Sequence, residues 1–269
     1  MIERITKVII SFLAISALIT TGCATTTTNV RQHSTLESQL IDVDSVLVVT
    51  PAVTIEKINF SDQNERMTEL ENDLKQQLIT LANEKLTEKG FEVVKFDIEK
   101  AIEEDEQLAY AVTQAREGFQ EAKKTLYDSS LTQQQMQNFK VSVGTAVNIV
   151  SEKSGADAVL LLHYSGQRKS GGSVAKDIAV GVLVGLLTGY APVSSFEASI
   201  VEAAFIDGVT GDVLWSNIYN SQALNIQPAK LLMDSFPQDI DSITQAAPGV
   251  KKEGATVNVT GEDIEQTAL

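Results

Sequence analysis

The sequence predicts an α+β (α/β-like) domain. It has a single small mixed β-sheet of about five strands with helices packed on it, a helical excursion and a glycine-rich apolar insertion. Two patterns predict the sheet. The run "VLVV" (Val46 to Val49), a long helical stripe and "FEVVKF" follow in the order strand, helix, strand, which requires a crossover between parallel neighbours. Later, "SSFEASIVEAAFIDG" and "GDVLWSNIYNS" flank the polar, glycine-bearing turn "DGVTGD", the signature of an antiparallel hairpin. A mixed sheet with helices on one face accommodates both.

The fold begins at Val46 to Val49, a continuous apolar run that suits a buried strand, and Pro51 ends it. A helix is expected over 61–89. Asp62 and Glu65 have capping-box spacing, Met67, Leu70, Leu74, Leu78 and Leu81 share one face, and Gly90 is a C-terminal stop. Glu71, a charged residue of the same helix, is read as solvent-facing. "FEVVKF" is the second strand. Residues 97–138 read as the helical excursion, a hairpin of two helices breaking near "YDSS". "FKVSVGTAVNIVSEKSG" leads as a helix into Gly155, and "ADAVLLLHYSG" is the third strand. The hairpin supplies the fourth and fifth, and a last helix runs from Pro228 to about Phe236, with Pro in its first turn. The domain is placed at 44–247, with a loose tail at 248–269.

The chain starts with Arg4 and Lys7, an apolar run from Val8 to Ile19, then "TTGC". This is a signal peptide by its regions, residues 1–22, and its apolar run is shorter than the ~20 residues a spanning helix needs. Cys23 is the only cysteine and stands at the break. The arrangement resembles the lipobox of bacterial lipoproteins, although Thr20 occupies a position where that family favours Leu. The resemblance implies that Cys23 is the lipidated N-terminus. Stable anchoring takes more than one acyl chain, and a triacylated cysteine supplies that. No aspartate follows Cys23; Ala24 and Thr25 do. By resemblance to enterobacterial sorting, this implies an outer-membrane, periplasm-facing protein. Residues 23–43, rich in Thr, Ser, Asn and Gln and containing His33, read as the lipidated N-terminus and tether.

Net charge is −15 for the whole chain and −16 once Glu3, Arg4 and Lys7 leave with the signal. That excludes nucleic acid as a partner class, since phosphates demand Lys and Arg.

"GADAVLLLHYSG", the glycine-rich insertion and "EAAFIDGVTGDVLWS" together resemble the core of a group of envelope lipoproteins. That group includes the curli secretion-channel lipoprotein and the lipoprotein activators of penicillin-binding proteins. The resemblance covers roughly 44–96 and 141–236, and it implies a small mixed sheet of anticodon-binding type.

The insertion, placed at 170–195, holds the second apolar run. Ile178 to Leu187 carries no polar side chain, and Gly181, Gly185 and Gly189 repeat every four residues. On a helix this spacing allows close backbone approach; on a strand it also keeps the glycines on one face. Ten helical residues span ~15 Å, half of a ~30 Å hydrocarbon core. The run does not alternate as a pore strand should. Two readings stay open: a loop that dips into the membrane or packs on copies of itself, and a buried glycine-rich helix.

The sequence carries no phosphate loop, metal-ligand spacing or nucleophile motif. His163 is read as a strand histidine on the opposite parity from Leu160 and Leu162, Trp215 as core, and Glu103 to Glu106 as a solvated helix face. No cofactor or small-molecule substrate is inferred. The expectation is a non-enzymatic lipoprotein, held to the membrane by its lipid, that binds envelope proteins or itself. An activator of a peptidoglycan synthase and a secretion-channel-like oligomer are the alternatives.

Overall fold

A computed structural model of the chain describes residues 29–59, 64–137, 139–169 and 197–238. It is a mixed α/β structure built on one open sheet of eight strands, not about five. The centre is β6 (Ala158–Lys169), paired antiparallel with β7 (Glu197–Asp207), which pairs antiparallel with β8 (Val213–Ser221). The expected hairpin turn joins β7 to β8. There Asp207 Oδ1 accepts the Val209 and Thr210 amides (2.9 and 2.6 Å), and Gly211 takes φ +74°.

On its other edge β6 pairs in parallel with two strands in succession, β2 (Ser45–Val48) and β3 (Ala52–Ile58). Val48 stands opposite Leu160 and Ala52 opposite His163, so one extra residue is bulged out between them. Pro51 therefore interrupts the strand rather than ending it. Three two-residue strands complete the sheet. They are β1 (Arg31–Gln32) on β8, β4 (Glu65–Arg66) on β3 and β5 (Glu92–Val93) on β2. Such strands are too short for a period to show, so sequence pattern missed β1 and β4. The sequence reading missed β3 as well, although Val53 and Ile55, both buried, alternate there with Thr54 and Glu56.

Helices cover both faces, not one. On the first lie α2 (Thr68–Glu88) and α7 (Gln227–Asp234), over Leu160, Leu162, Phe205 and Trp215. On the second lie α3 (Ile98–Glu104), α4 (Glu106–Leu126) and α6 (Ala146–Ser154), over Leu47, Val159, Leu161 and Ile206. The physical reason is in β6, whose residues Ala158 to Leu162 are all buried. A strand apolar on both parities needs cover on both sides.

The stripe of α2 packs as its spacing predicts: Leu74, Leu78 and Leu81 are buried, and Met67 and Leu70 lie at the margin of the same core. The expected capping box does not form. The helix starts at Thr68, and Glu65 is already in β4. Glu71 is not solvent-facing either. It is 5% exposed, its carboxylate accepting the Ile55 amide at 2.8 Å and bonds from Arg66 at 2.8 and 3.1 Å.

The excursion is one short helix, α3, and one long one, α4, followed by the single turn α5 (Gln133–Gln137). Asp97 and Asp105 cap α3 and α4, accepting the Lys100 and Leu108 amides. α4 buries Leu108, Ala111, Val112, Ala115, Phe119, Ala122 and Leu126, a stripe at three- and four-residue spacing. Gly118 lets the 139–144 segment approach α4, because a Cβ there would lie 2.2 Å from the Val143 carbonyl oxygen.

The end of the segment read as tether belongs to the fold. β1, the short helix α1 (Leu36–Gln39) and a 3-10 turn (Leu40–Asp42) occupy it, and Leu36, Leu40 and Val43 are buried. His33 is 4% exposed, not in a solvated tether. Its amide donates to the Leu214 carbonyl (2.8 Å), and its ring meets Phe139 edge-on.

Candidate functional site

Cys23 and the glycines Gly181, Gly185 and Gly189 lie outside the described residues. Among the described residues, no helix is long and apolar enough to cross a membrane. His163 on β6, singled out in the sequence, is brought by the structure into an organised polar cluster.

α4 presents Arg116, Gln120, Lys123 and Tyr127, three or four residues apart, to the second face of the sheet. They build a polar seam across three strands at the margin of the apolar core. The period is the same one that packs Phe119 and Leu126, so the seam runs beside the core stripe on a single helix.

At its centre, Glu202 on β7 is opposite His163 on β6. Lys123 Nζ lies 2.6 Å from both carboxylate oxygens, and His163 Nδ1 lies 2.8 Å from Oε2. Glu202 is 8% exposed. Burial pushes its carboxyl pKa up, but the hydrogen bonds and charges of His163 and Lys123 outweigh that and hold it below the usual value. A carboxylate accepts only, so Nδ1 carries the hydrogen. Tyr127 continues the seam, its hydroxyl 2.9 Å from Ser216 Oγ. Arg31 stacks over the Tyr127 ring at 4.8 Å, and its Nε donates to the Leu126 carbonyl at 2.7 Å. Burial pushes the Tyr127 phenol pKa well up.

The other end of the seam meets the interruption between β2 and β3. Arg116 Nη2 donates to the Thr50 carbonyl oxygen at 2.7 Å. Beside this contact is a half-open cavity of about 270 Å³. Phe119, Leu161 and Ala52 give it apolar walls, and Arg116, Gln120 and His163 give it polar ones. Burial pulls the Arg116 guanidinium below its ordinary pKa.

This arrangement holds a buried carboxylate. His163 has an orienting carboxylate, as a general base would, but Ser216 is committed to Tyr127 and to the Ala203 carbonyl (2.9 Å). Among the described residues, no group of three His, Cys, Asp or Glu side chains is placed to hold a metal ion. Asp105 of the acidic run is engaged as a cap and in an ion pair with Lys153 at 2.8 Å. Trp215 is fully buried against Phe236. Sequence reasoning named His163 but missed Glu202, Lys123 and Arg116. The signal for the first was a carboxylate inside the buried run "ASIVEAAFI".

No known protein family and no curated protein matches the chain. Solved structures do. Among them are envelope lipoproteins. Lipoprotein GNA1162 from Neisseria meningitidis is 15% identical, with 77% of this chain and 99% of that one covered and a TM-score of 0.28. The C-terminal domain of LpoB from Salmonella enterica is 16% identical over 71% and 96%, also at 0.28. A DUF4136 family protein from Bacteroides thetaiotaomicron is 10% identical over 81% and 94%, again at 0.28. The group is the kind that the sequence resemblance named. Scores below 0.5 are those of loosely superposed chains, and nothing about the activity of this chain follows from them.

Proposed function

We propose that this protein is a non-enzymatic outer-membrane lipoprotein, anchored through Cys23, whose periplasm-facing domain works by contact with other envelope proteins or with itself. The observation that carries the reading is the placement of the sole cysteine at the end of "LITTG", after a basic start and a short apolar run. The fold supports close confinement. Asn29, the first described residue, stands six positions after Cys23, a stretch that spans at most ~21 Å at ~3.5 Å each. That reach counts against activation of an enzyme in the opposite membrane.

The sheet supports a contact role. Beyond Glu202 and His163, the second face carries Thr54, Ser165, Ile200 and Asn220, whose strand pairings place them on one side. All four remain at least partly accessible, and among the described residues no helix covers them. The segment with Gly181, Gly185 and Gly189 leaves the sheet from the same end, where Arg168 and Glu197 pair across β6 and β7 at 2.8 Å. The four-residue spacing of these glycines in the sequence is what supports close approach of a second copy or of lipid as their role.

The test is fractionation with acyl labelling. The wild type incorporates palmitate and sediments with outer membrane, while Cys23→Ser does neither. A Cys23→Ser variant that stays in that fraction, together with an unlabelled wild type, would sink the anchor. Gly185→Leu should remove crosslinked oligomers or membrane contact without lowering the melting temperature. A fall in melting temperature with no assembly defect would instead put the segment in the core.

A further inference from the structure

We propose that the cavity between α4 and the β2–β3 interruption is a binding site for a carboxylate carried on a small apolar body. The argument starts from the charges. Arg116 is partly buried on the wall of this cavity, and among the described residues no carboxylate pairs with it. Its sole hydrogen bond is to the Thr50 carbonyl. A guanidinium has five N–H donors in a fixed fork, so pinning the bulge uses one and leaves a pair that a planar carboxylate matches. Glu202, the carboxylate of the seam, is already held by Lys123 and His163 and does not supply that partner.

At the cavity Arg116 is thus a cation with no carboxylate against it among the described residues, in a chain whose net charge is −15. Burial of Arg116 strengthens its attraction for an anion, because the competing water is partly excluded. The burial that pulls its pKa down is the same desolvation an arriving carboxylate would offset.

The remaining walls set the rest of the ligand. Phe119, Leu161 and Ala52 line the cavity. At about 270 Å³ it lies at the small end of ligand cavities. That is room for a short acyl or aryl group. A free small acid and the C-terminal carboxylate of a peptide share this chemistry.

The proposal stands on the geometry of the described domain and does not depend on the lipid anchor. The experiment uses the full chain in bilayer discs, with 4-fluorobenzoate as the probe and fluorine NMR as the readout. The uncharged control is 4-fluorobenzyl alcohol and the cationic one is 4-fluorobenzylamine. The acid should bind at least tenfold more tightly than either. Arg116→Gln should weaken it at least tenfold. Ala52→Leu, which fills the cavity from β3 and leaves Arg116 in the chain, should do the same at an unchanged melting temperature. It keeps the test alive should Arg116→Gln fail to fold. Equal binding of acid, alcohol and amine, or either folded variant binding like wild type, overturns the proposal. Displacement by acetyl-dialanine but not by its amide would identify a peptide terminus as the source. Failure of both to displace a bound acid would identify a free small acid.

Discussion

Glu71 gives the sharpest test of the fold, because its charge reads as solvent-facing although it stands four residues after Met67 and three before Leu74. It is 5% exposed, and its Oε1 accepts the amide of Ile55, a residue with no exposed surface. Replacing Glu71 with Ala removes the acceptor and leaves that amide buried and unpaired. A buried donor without a partner costs about 1–3 kcal/mol. The Arg66 pair adds little, because Arg66 is largely exposed and water screens it. For a domain of this size, ~1 kcal/mol shifts the melting temperature by roughly 2–4 °C, so a fall of about 2–12 °C is expected. Thermal unfolding of the mature chain carrying Cys23→Ser, followed by circular dichroism, reads it. Glu71→Gln keeps an acceptor and should recover most of the loss, and Glu69→Ala, on an exposed position of α2, should change nothing. Leu74→Ala, at 1% exposure, sets the scale at ~2–5 kcal/mol. A Glu71→Ala protein that melts with wild type, or with Glu69→Ala, would refute the buried bond to Ile55.

Gly118→Ala tests the close approach to α4. Helix propensity alone would make it stabilising by ~1 kcal/mol, but the new Cβ meets the Val143 carbonyl oxygen. A net loss of about 1–3 kcal/mol is expected from the overpacking, and a gain in chemical-denaturation midpoint would show that the contact is absent. Glu202→Gln tests the seam through pH. The Glu202 pKa is depressed in the fold, so its contribution is fully present above the ordinary carboxyl value of ~4.3 and is lost as pH falls through the lower folded value. The stability gap between wild type and Glu202→Gln should be constant from pH 6 to 8 and close below pH 4. A gap that widens with acid would reverse the assignment.

Some of this protein was fixed by its sequence. Val46 to Val49, the Leu74–Leu78–Leu81 stripe, the "DGVTGD" turn and the Pro228 helix start are local signals, since each depends on residues a few positions apart. The role proposed for Cys23 is likewise a reading of its neighbours in the chain. The tertiary structure decided what depends on distant partners. β1 and β4 exist because β8 and β3 offer them hydrogen bonds, and no period can appear in two residues. Both faces of the sheet are covered because β6 is buried on both parities, a demand that the sequence states without naming the helix that meets it. Glu71 and Arg116 look alike in the sequence, each a charged residue in an amphipathic helix, while Glu202 interrupts an apolar strand. The pairings with Ile55, His163 and Lys123, and Thr50 made Glu71 a buried staple and Glu202 the centre of a seam, and left Arg116 a cation with donors to spare. Burying a charge is favourable only when a partner arrives from elsewhere in the chain.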